Sequence, residues 1–368
     1  MQPDVIVVGA GFAGCTAARA LAEAGRKVLV VEKRSHLAGN CFDHRNEAGI
    51  TVHQYGPHIF HTNSKAVWDF ANRFTAFNHF QHKVLSYAEG RLLPFPINRD
   101  TLCEVFGVDI SVNEVHDFLA EEVAKATFRT PPVNFRDQVV SQVGERLYNL
   151  FFREYTRKQW NREPEELSAE VAARIPVREN RDPRYFSDRY QGIPLAGYTG
   201  MATSMLRHEN ITVMTGTDWH AIRAILPAAR IVYTGKLDEF FNYQHGELEY
   251  RSVRFEFETL QMQQFQPVSV VNYPNDYDFT RITEFRHFTG ETAPVTTILR
   301  EYPSAEGEPS YVVLTPENIH KRDLYLAEMA REELGGRLVF VGRLAEYRYY
   351  NMDQVIEAAL AKVKRLMS

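Results

Sequence analysis

A glycine-rich turn near the start of the chain constrains the fold more than any other feature. Residues 9–14 read Gly-Ala-Gly-Phe-Ala-Gly and lie between a short apolar run, Val5–Val8, and helix-forming residues that begin at Ala17. A second apolar run, Val28–Val31, follows and ends at Glu32. Short, wholly apolar runs are typical of strands that are buried on both faces of a parallel sheet. The segment therefore predicts a βαβ unit of a Rossmann-like domain.

The three glycines of this turn have different physical roles. Gly9 permits the tight turn, and Gly11 lets a pyrophosphate group approach the backbone. Gly14 allows the helix to pack closely on the strand, while the helix N-terminus faces the phosphates. Glu32 lies 18 residues after Gly14, where its carboxylate can accept hydrogen bonds from ribose hydroxyls. The pattern predicts a dinucleotide site, and a tight turn without a ligand is the alternative.

Two further segments favour FAD over NAD as the dinucleotide. A second turn of small residues, Ala-Gly-Asn at 38–40, comes soon after Glu32, and a longer ligand is wrapped by several such segments. Near the C-terminus, Gly-Arg at 342–343 precedes a helix predicted from about Asp353, whose N-terminus would stabilise negative charge on a flavin. The sequence contains no second glycine fingerprint for a separate nicotinamide site. NAD is the alternative.

Composition excludes several classes of protein. The chain has 368 residues, enough for two or three domains at about 100–200 residues each. Its formal net charge is −5, from 42 lysines and arginines against 47 aspartates and glutamates, whereas a nucleic-acid-binding protein favours a basic surface. The three cysteines form no Cys-x-x-Cys pair, and no apolar stretch reaches the ~18 residues of a membrane span. We expect no nucleic-acid partner, no membrane span and a reduced, cytoplasmic location.

The order of the patterns predicts an α/β protein with a discontinuous FAD-binding Rossmann-like domain, an inserted helical domain and an antiparallel β-sheet domain. Val139, Val143 and Leu147 recur at helical spacing, whereas Phe255 and Phe257 alternate with charged residues as in a half-exposed strand. The predicted boundaries are 1–75, 193–240 and 322–368 for the Rossmann-like domain, 100–192 for the helical domain, and 76–99 with 241–321 for the sheet domain.

Two histidines that are three residues apart, His58 and His61, suggest a metal site at first. They lie in a Gly-Pro turn, and neither a helix nor a carboxylate completes a ligand set. We therefore expect no metal. A histidine beside a redox ring, which tunes that ring through a hydrogen bond, is favoured instead.

Aromatic and cationic residues are interleaved at the end of a predicted helix, residues 151–160. Tyr155 and Trp160 lie among charged residues, which is typical of a surface that stacks a base and contacts phosphates. Arginine and tyrosine side chains supply the donors that a diphosphate requires. Further candidates are Arg174, Arg178, Tyr185, Tyr190, Arg281, Tyr311, Arg343, Tyr347 and Tyr349. A core-facing aromatic stripe is the alternative, above all for Phe151 and Phe152.

Several motifs together resemble the bacterial type of the UDP-galactopyranose mutase family. They are Tyr155-Thr156-x-Lys158-Gln159-Trp160, Arg174-Ile175-Pro176-Val177-Arg178, the Tyr-Gly-Pro-His turn at 55–58, and Gly342-Arg343-Leu344 with Tyr349. The resemblance spans the chain from Gly9 to Asp353. It implies a flavin-binding Rossmann domain, an inserted helical substrate-binding domain with a mobile loop, and an antiparallel sheet between them.

The resemblance also implies an isomerase that interconverts UDP-galactopyranose and UDP-galactofuranose, with FAD as a cofactor that must be reduced. In that family the flavin N5 attacks the anomeric carbon and expels UDP, the sugar ring opens and recloses through another hydroxyl, and UDP returns. The reaction has no net redox change, and the cofactor is the nucleophile. The implied partners are UDP-galactose in both ring forms, UDP, an external reductant and a second copy of the chain in a homo-oligomer. The implied process is cell-wall or polysaccharide biosynthesis.

By the same resemblance, three groups of residues form the site. The implied catalytic residues are Arg174, on a mobile loop, Arg281 and His58, with the arginines holding the diphosphate and the histidine lying against the flavin ring. The implied substrate-binding residues are Phe152, Tyr155, Trp160, Tyr185, Asn272, Tyr311 and Tyr349. The implied cofactor-binding residues are Gly9, Gly11, Phe12, Gly14, Glu32, Lys33, Asn40, His58, Ile59, Gly342, Arg343, Met352 and Asp353.

Two other functions stay open on the sequence alone. A flavin-dependent oxidoreductase of the amine-oxidase or desaturase type shares this fold class, although its site is normally lined by apolar residues rather than by arginine and tyrosine. A non-catalytic module that binds a nucleotide sugar or FAD is the other. Substrate-dependent peroxide release would identify the first, and UDP binding without conversion would identify the second.

Overall fold

The structure is a computed structural model that describes residues 2–172, 177–226 and 230–367. In chain order the strands of these ranges are β1 (Val5–Val8), β2 (Val28–Val31), β3 (Asp43–Arg45), β4 (Thr51–His53), β5 (Phe60–Thr62), β6 (Val84–Ala88), β7 (Arg91–Phe95), β8 (Tyr190–Gly192), β9 (Ile211–Met214), β10 (Arg230–Tyr233), β11 (Tyr250–Leu260), β12 (Val270–Asn272), β13 (Arg281–Glu284), β14 (Thr296–Ser304), β15 (Tyr311–Val312) and β16 (Leu338–Phe340). The helices are α1 (Phe12–Glu23), α2 (Lys65–Asn72), α3 (Arg99–Phe106), α4 (Val115–Ala124), α5 (Phe135–Tyr148), α6 (Glu154–Trp160), α7 (Gly197–Leu206), α8 (Trp219–Ile222), α9 (Leu237–Phe240), α10 (Arg286–Thr289), α11 (Pro316–Leu334) and α12 (Met352–Met367).

Five parallel strands form the sheet that the glycine-rich turn predicts. Their order is β16-β10-β1-β2-β9, and Val5 of β1 pairs with Val28 on one side and Arg230 on the other. β1 and β2 are apolar because helices cover both faces of the sheet. α1, α7 and α12 cover one face, and α8, α9 and α11 cover the other. The predicted Rossmann-like α/β fold is confirmed.

This sheet is assembled from distant parts of the chain. β1 and β2 come from its start, β9 and β10 from residues 211–233, and β16 from residues 338–340. The helix that follows β16, α12, packs against α1. The remaining regions are therefore inserted between strands of one sheet. The residue boundaries of the three domains stay predictions.

A second sheet has seven strands in the order β15-β11-β14-β13-β12-β6-β7. Its neighbouring strands are antiparallel except β12 and β6, which run parallel with Val270 beside Val84. Asn272, at the end of β12, pairs with Arg281, at the start of β13. Two residues of the predicted substrate site therefore lie side by side at the end of the β12–β13 strand pair.

The helices α3 to α6 pack on this second sheet. Their apolar residues, among them Val139 and Leu147, share one buried cluster with Leu299 of β14. α5 bends at Gly144, whose φ of +77° is in the left-handed region, and a π-helical turn at Asn149–Arg153 then leads into α6. The bend and the π-helical turn bring α6 into contact with β14.

The two longest helices are α11, with 19 residues, and α12, with 16. Of α11, Asn318 and Tyr325 are buried, and charged residues occupy much of the rest. No helix within the described ranges combines the length and the apolar character needed to cross a lipid bilayer.

Candidate functional site

The glycine-rich turn opens onto a cavity of about 400 Å³. Gly9 has a φ of +98°, and a Cβ at this position would lie 2.2 Å from Thr234 Oγ1. A Cβ at Gly39 would lie 3.0 Å from the Cα of Gly11, so the two turns of small residues touch backbone to backbone. Gly9, Gly11 and Gly39 all line the cavity. Their bare backbone is the surface that a pyrophosphate group needs in order to approach closely.

Gly14 has a packing role instead of a place on the cavity wall. A Cβ at this position would lie 1.9 Å from the carbonyl oxygen of Gly9, so only a hydrogen fits where α1 begins beside β1. Glu32 lines the cavity at the end of β2, and its carboxylate oxygens accept the backbone N–H groups of Ala10, at 2.6 Å, and Arg34, at 2.8 Å. The carboxylate therefore fixes the glycine turn relative to β2.

The loop between β14 and β15 covers one side of the cavity. Arg34 donates to Asn40 Oδ1 at 2.9 Å and to Glu308 Oε2 at 3.1 Å, and Asn40 donates to the carbonyl oxygen of Pro309 at 3.4 Å. Asn40, Glu308 and Pro309 all line the cavity, as does Lys33. A ligand in the cavity would thus lie between the glycine turns and this loop.

The C-terminal segment forms another wall. Phe12, Gly342, Arg343 and Met352 line the cavity. Asp353 is not among the lining residues of the described chain, but it lies in the first turn of α12 directly after Met352. Its Oδ1 is buried and has no hydrogen-bond partner in the described ranges. An acceptor left open beside the cavity fits a bound ligand that carries N–H or O–H donors.

His58 lines the same cavity with its proton position fixed. Its Nδ1 lies 2.8 Å from the carbonyl oxygen of Gly56. A carbonyl can only accept, so Nδ1 carries the proton and Nε2 keeps its lone pair. Burial lowers the pKa of His58 to about 3, with the charge of Arg343 acting in the same direction. The ring is therefore neutral at pH 7. Its neighbour Ile59 packs against the apolar cluster that contains Val139 and Leu147 of α5. Ile59 is not among the described residues that line the cavity.

Arg281 is the centre of a second group of predicted site residues. Its guanidinium donates to the hydroxyl of Tyr155, and its Nε lies 3.8 Å from Glu301 Oε2. Burial disfavours the charge, but the neighbouring Tyr155, Glu301 and Tyr311 outweigh burial and hold the pKa of Arg281 above its ordinary value. Nε is buried without a hydrogen-bond partner in the described ranges. The site therefore contains a fixed cation with an unused donor.

Aromatic residues connect this cation to the cavity. Trp160 meets the ring of Tyr311 edge to face at 6.1 Å, and Tyr311 stacks on Tyr349 at 6.2 Å. The guanidinium of Arg343, on the cavity wall, lies 5.0 Å from the ring centre of Tyr349. Burial raises the pKa of the Tyr311 hydroxyl, so it remains protonated and able to donate at neutral pH.

The predicted residues Tyr185, Phe152 and Asn272 have different surroundings. Tyr185 is close enough for the charge of Arg281 to act on it, while burial raises its pKa to about 12. Phe152 is buried 5.9 Å from Phe95 in the cluster beside α5, and Asn272 neighbours Arg281 across a strand pair. Their contact with a ligand stays a prediction.

Arg174 lies outside the described residues, as do residues 173–176 as a whole. Its predicted contact with the diphosphate therefore stays a prediction. Among the residues that are described, no group of three or more histidine, cysteine, aspartate or glutamate side chains is placed to hold a metal ion.

Glu301 is a residue of this group that the sequence patterns do not indicate. This residue of β14 is 4% exposed, and its Oε1 has no hydrogen-bond partner in the described ranges. The same oxygen would lie 3.7 Å from a Cβ at Gly56, so Glu301 joins the Arg281 group to the turn that carries His58. Residues Thr296 to Leu299 of β14 are all buried, and Glu301 is buried as well. A carboxylate two residues after the apolar Leu299, and therefore on the same face of the strand, is the signal that could have identified it.

Comparison with known proteins agrees with this arrangement. A sequence profile of the UDP-galactopyranose mutase family matches residues 150–349, and a profile of the NAD(P)-binding Rossmann-like domain matches residues 7–74. A probable UDP-galactopyranose mutase of Klebsiella pneumoniae is 36% identical over 99% of this chain and 95% of its own length. A dTDP-fucopyranose mutase of Escherichia coli is 35% identical over 97% of this chain and 96% of its own length.

The fold has a solved counterpart. The crystal structure of a reduced UDP-galactopyranose mutase superimposes with a TM-score of 0.78 over 100% of this chain and 96% of the other, at 17% sequence identity. At that identity the superposition describes the fold alone. The family profile covers more than half of the chain, and the relatives span nearly all of it. The chain therefore belongs to the UDP-galactopyranose mutase family.

Proposed function

We propose that this chain interconverts UDP-galactopyranose and UDP-galactofuranose with FAD, in its reduced form, as the cofactor. The reduced flavin, when bound, supplies a nucleophilic nitrogen for the anomeric carbon of the sugar without net redox change. The observation that carries the proposal is the half-buried Arg281 among its tyrosines, which lies beside a cavity built around a glycine-rich turn. A cation surrounded by tyrosines suits a diphosphate better than it suits an amine or a hydrocarbon.

The cavity residues fit FAD. The bare backbones of Gly9, Gly11 and Gly39 suit the pyrophosphate, and Glu32 lies where the ribose hydroxyls are expected. The N-terminal end of α12, which begins at Met352, favours negative charge on the ligand, and the open acceptor of Asp353 suits an N–H or O–H donor of the ligand. An external reductant would then be required to reduce the bound cofactor.

The chain's own residues would hold the nucleoside diphosphate. Arg281, with Arg174 from the segment outside the described residues, would bind the phosphate oxygens and stabilise the negative charge on UDP as it leaves. The hydroxyls of Tyr185, Tyr311 and Tyr349 would donate to the same oxygens, and the rings of Tyr155 and Trp160 would meet the uridine. Trp160 is buried, and Arg281, Tyr155 and Tyr311 are half-buried, so water has limited access to the diphosphate.

His58 would keep one proton in place. Its Nδ1–H is directed to Gly56, which leaves Nε2 as an acceptor in a residue that lines the cavity. A neutral imidazole in that position can accept a hydrogen bond without placing a positive charge beside an electron-rich ring. We propose that this is its role near the flavin.

A second substrate has support of its own. The relatives at 36% and 35% identity carry names with different sugars and different nucleotides, galactopyranose with UDP and fucopyranose with dTDP. The corresponding alternative for this chain is a dTDP-linked 6-deoxyhexose, on which the same diphosphate contacts would act. Both substrates therefore belong in the test.

The test is chromatography of UDP-galactofuranose after incubation with the purified protein, either oxidised or reduced by dithionite. We expect UDP-galactopyranose to form only with the reduced protein. A parallel incubation with dTDP-fucofuranose tests the second substrate. Conversion of neither nucleotide sugar would refute the proposal, and equal rates in the two redox states would refute the need for reduced FAD. Peroxide release in air with substrate would instead support the flavin-dependent oxidoreductase.

A further inference from the structure

Lys158, which has no role in the site as described so far, donates to three main-chain carbonyl oxygens of one loop. Its Nζ lies 2.5 Å from the carbonyl oxygen of Tyr273, 2.8 Å from that of Tyr277 and 3.1 Å from that of Phe279. An ammonium group has three N–H donors, and the loop occupies all of them. The side chain therefore cross-links α6 to the loop between β12 and β13.

The loop bound by Lys158 begins and ends at predicted substrate residues. Asn272 is the last residue of β12, and Arg281 is the first residue of β13. Tyr155 precedes Lys158 by three residues on α6, so both side chains leave the same face of the helix. Tyr155 receives a hydrogen bond from Arg281 while Lys158 binds the loop that leads to it. One helix face thus makes two contacts with one chain segment.

The environment of Lys158 is an expensive one for a charge. Burial lowers the pKa of Lys158 to about 8, and the charges of Asp278, Glu154 and Asp276 counteract burial only in part. Arg157, the preceding residue, shows the ordinary alternative: it is 46% exposed and pairs with Glu163 at 3.0 Å. A contact that served packing alone would be made more cheaply by an apolar side chain.

We propose that Lys158 is a positioning residue that holds α6 and the loop in register, so that Tyr155 meets Arg281 and the site takes the diphosphate of a nucleoside diphosphate sugar. This inference rests on the proposed function of the same site. It assigns to Lys158 no contact with the substrate.

Loss of the cross-link has a defined consequence for Arg281. Asn275, which donates to the carbonyl oxygen of Leu150 at 3.1 Å, would still connect the loop to the π-helical turn. The Tyr155 hydroxyl would no longer be fixed opposite Arg281. The guanidinium could then move toward Glu301, whose Oε2 is already 3.8 Å from its Nε. A closer pair with that carboxylate would leave Arg281 less available to phosphate oxygens.

The experiment measures UDP binding to the purified holoenzyme by titration calorimetry. Lys158→Met keeps the length of the side chain and removes the three donors, and we expect UDP to bind about tenfold or more weakly, since hydrogen bonds from a charged group are among the stronger ones. Arg157→Met removes a cation from the exposed side of the same helix and should leave the affinity for UDP within about twofold. Flavin content and melting temperature are recorded for each variant.

A double-mutant cycle separates positioning from general loss of structure. If Lys158 acts through Tyr155, Tyr155→Phe should weaken UDP binding little further once Lys158→Met is present. Additive losses in the double variant would overturn the inference, as would unchanged UDP affinity in Lys158→Met. If Lys158→Met does not fold, Lys158→Gln, which keeps two N–H donors, replaces it with a smaller expected loss. Wild-type protein that binds no UDP would overturn the proposed function and this inference together.

Discussion

Gly11 and Gly14 are three residues apart, yet an added methyl group would meet different surroundings at the two positions. At Gly14 it would lie 1.9 Å from the carbonyl oxygen of Gly9, which is backbone and cannot move aside. At Gly11 its nearest neighbour would be the Cα of Gly39 at 3.9 Å, an ordinary contact. Gly14 is therefore required for folding, whereas Gly11 is required for ligand binding.

Gly14→Ala should destabilise the protein by about 1–3 kcal/mol or more, as overpacking in a dense core does. Gly11→Ala should melt near the wild-type temperature without the cofactor, but it should retain much less FAD because its methyl group enters the space of the ligand. Differential scanning fluorimetry and the flavin-to-protein absorbance ratio measure the two effects. A fully flavinated Gly11→Ala variant would contradict the assignment of the cavity.

Arg281 allows a direct test of charge stabilisation at one residue. Arg281→Ala should lower turnover by roughly 10²-fold or more, by analogy with the loss of one donor that stabilises transition-state charge. Arg281→Lys keeps the charge but loses the planar fork, and it should recover only part of the rate. Steady-state assays with reduced protein measure both variants. Arg254→Ala, at an exposed position of β11, is the control, and near-normal turnover of Arg281→Ala would remove the arginine from the mechanism.

The residues that sequence could identify are those whose chemistry is unusual in context. Glycines between a strand and a helix, and arginines among tyrosines, point to phosphate groups by their own properties. Glu301 and Lys158 do not, because a lone carboxylate in a strand or a lysine in a helix is usually exposed. The importance of Glu301 comes from its burial beside Arg281. The importance of Lys158 comes from its hydrogen bond to Tyr273, which is 115 positions away in the sequence.

At the scale of elements, the N-terminus of helix α7 is capped by a side chain of strand β3. Asp43 of β3 accepts the backbone N–H groups of Tyr198, at 2.6 Å, and Thr199, at 2.8 Å, one on each carboxylate oxygen. Gly197 precedes them with a φ of +72°, and a Cβ there would lie 2.6 Å from Asp43 Oδ2. The Tyr198 hydroxyl in turn donates to the carbonyl oxygen of His58 at 3.0 Å. The start of α7 therefore supports the turn that carries His58.

Asp43→Ala should lower the free energy of unfolding by about 1–2 kcal/mol, the upper range for loss of a helix N-cap. Asp43→Asn, which keeps one acceptor oxygen, should lose less. Urea unfolding followed by circular dichroism gives both values. Asp69→Ala, which removes only an exposed partner of Lys65, should change little, and equal losses in all three variants would contradict the capping role.

The local hydrophobic pattern of the sequence predicted whether a segment is a helix or a strand better than it predicted which strands pair. The apolar runs of β1 and β2 and the alternation in β11 follow from which faces are buried. The parallel pairing of β12 with β6 within an otherwise antiparallel sheet does not, because strand pairing depends on long-range topology. Residue spacing also gave no sign of the π-helical turn at Asn149–Arg153, which sets the direction of α6.

At the scale of the whole molecule, buried neutral histidines make stability depend on acid. Burial lowers the pKa values of His53, His58 and His82 to about 3, whereas each would titrate near 6.5 in the unfolded chain. Between these values the unfolded state binds more protons than the folded state. The free energy of unfolding should therefore fall as the pH is lowered from about 6.5 toward 3.

Each such proton contributes a slope of about 1.4 kcal/mol per pH unit. His82→Asn should reduce the slope of the free energy of unfolding between pH 4.5 and 6 by up to about 1.4 kcal/mol per pH unit, the contribution of one proton. His79→Asn, at an exposed position, serves as the control. Chemical unfolding at a series of pH values measures the slope. A slope unchanged by His82→Asn would show that this ring is not held neutral by the fold.

Because the Rossmann-like domain is discontinuous in sequence, parts of it that pack together are synthesised at different times. α1, which ends at Glu23, is synthesised long before α12, which begins at Met352 and packs against α1. At ~5–20 residues per second the nascent chain would present the uncovered apolar side of α1 for tens of seconds. During that interval the apolar side of α1 is a surface that a chaperone can bind. A chain that is truncated before α12 would leave this side of α1 exposed.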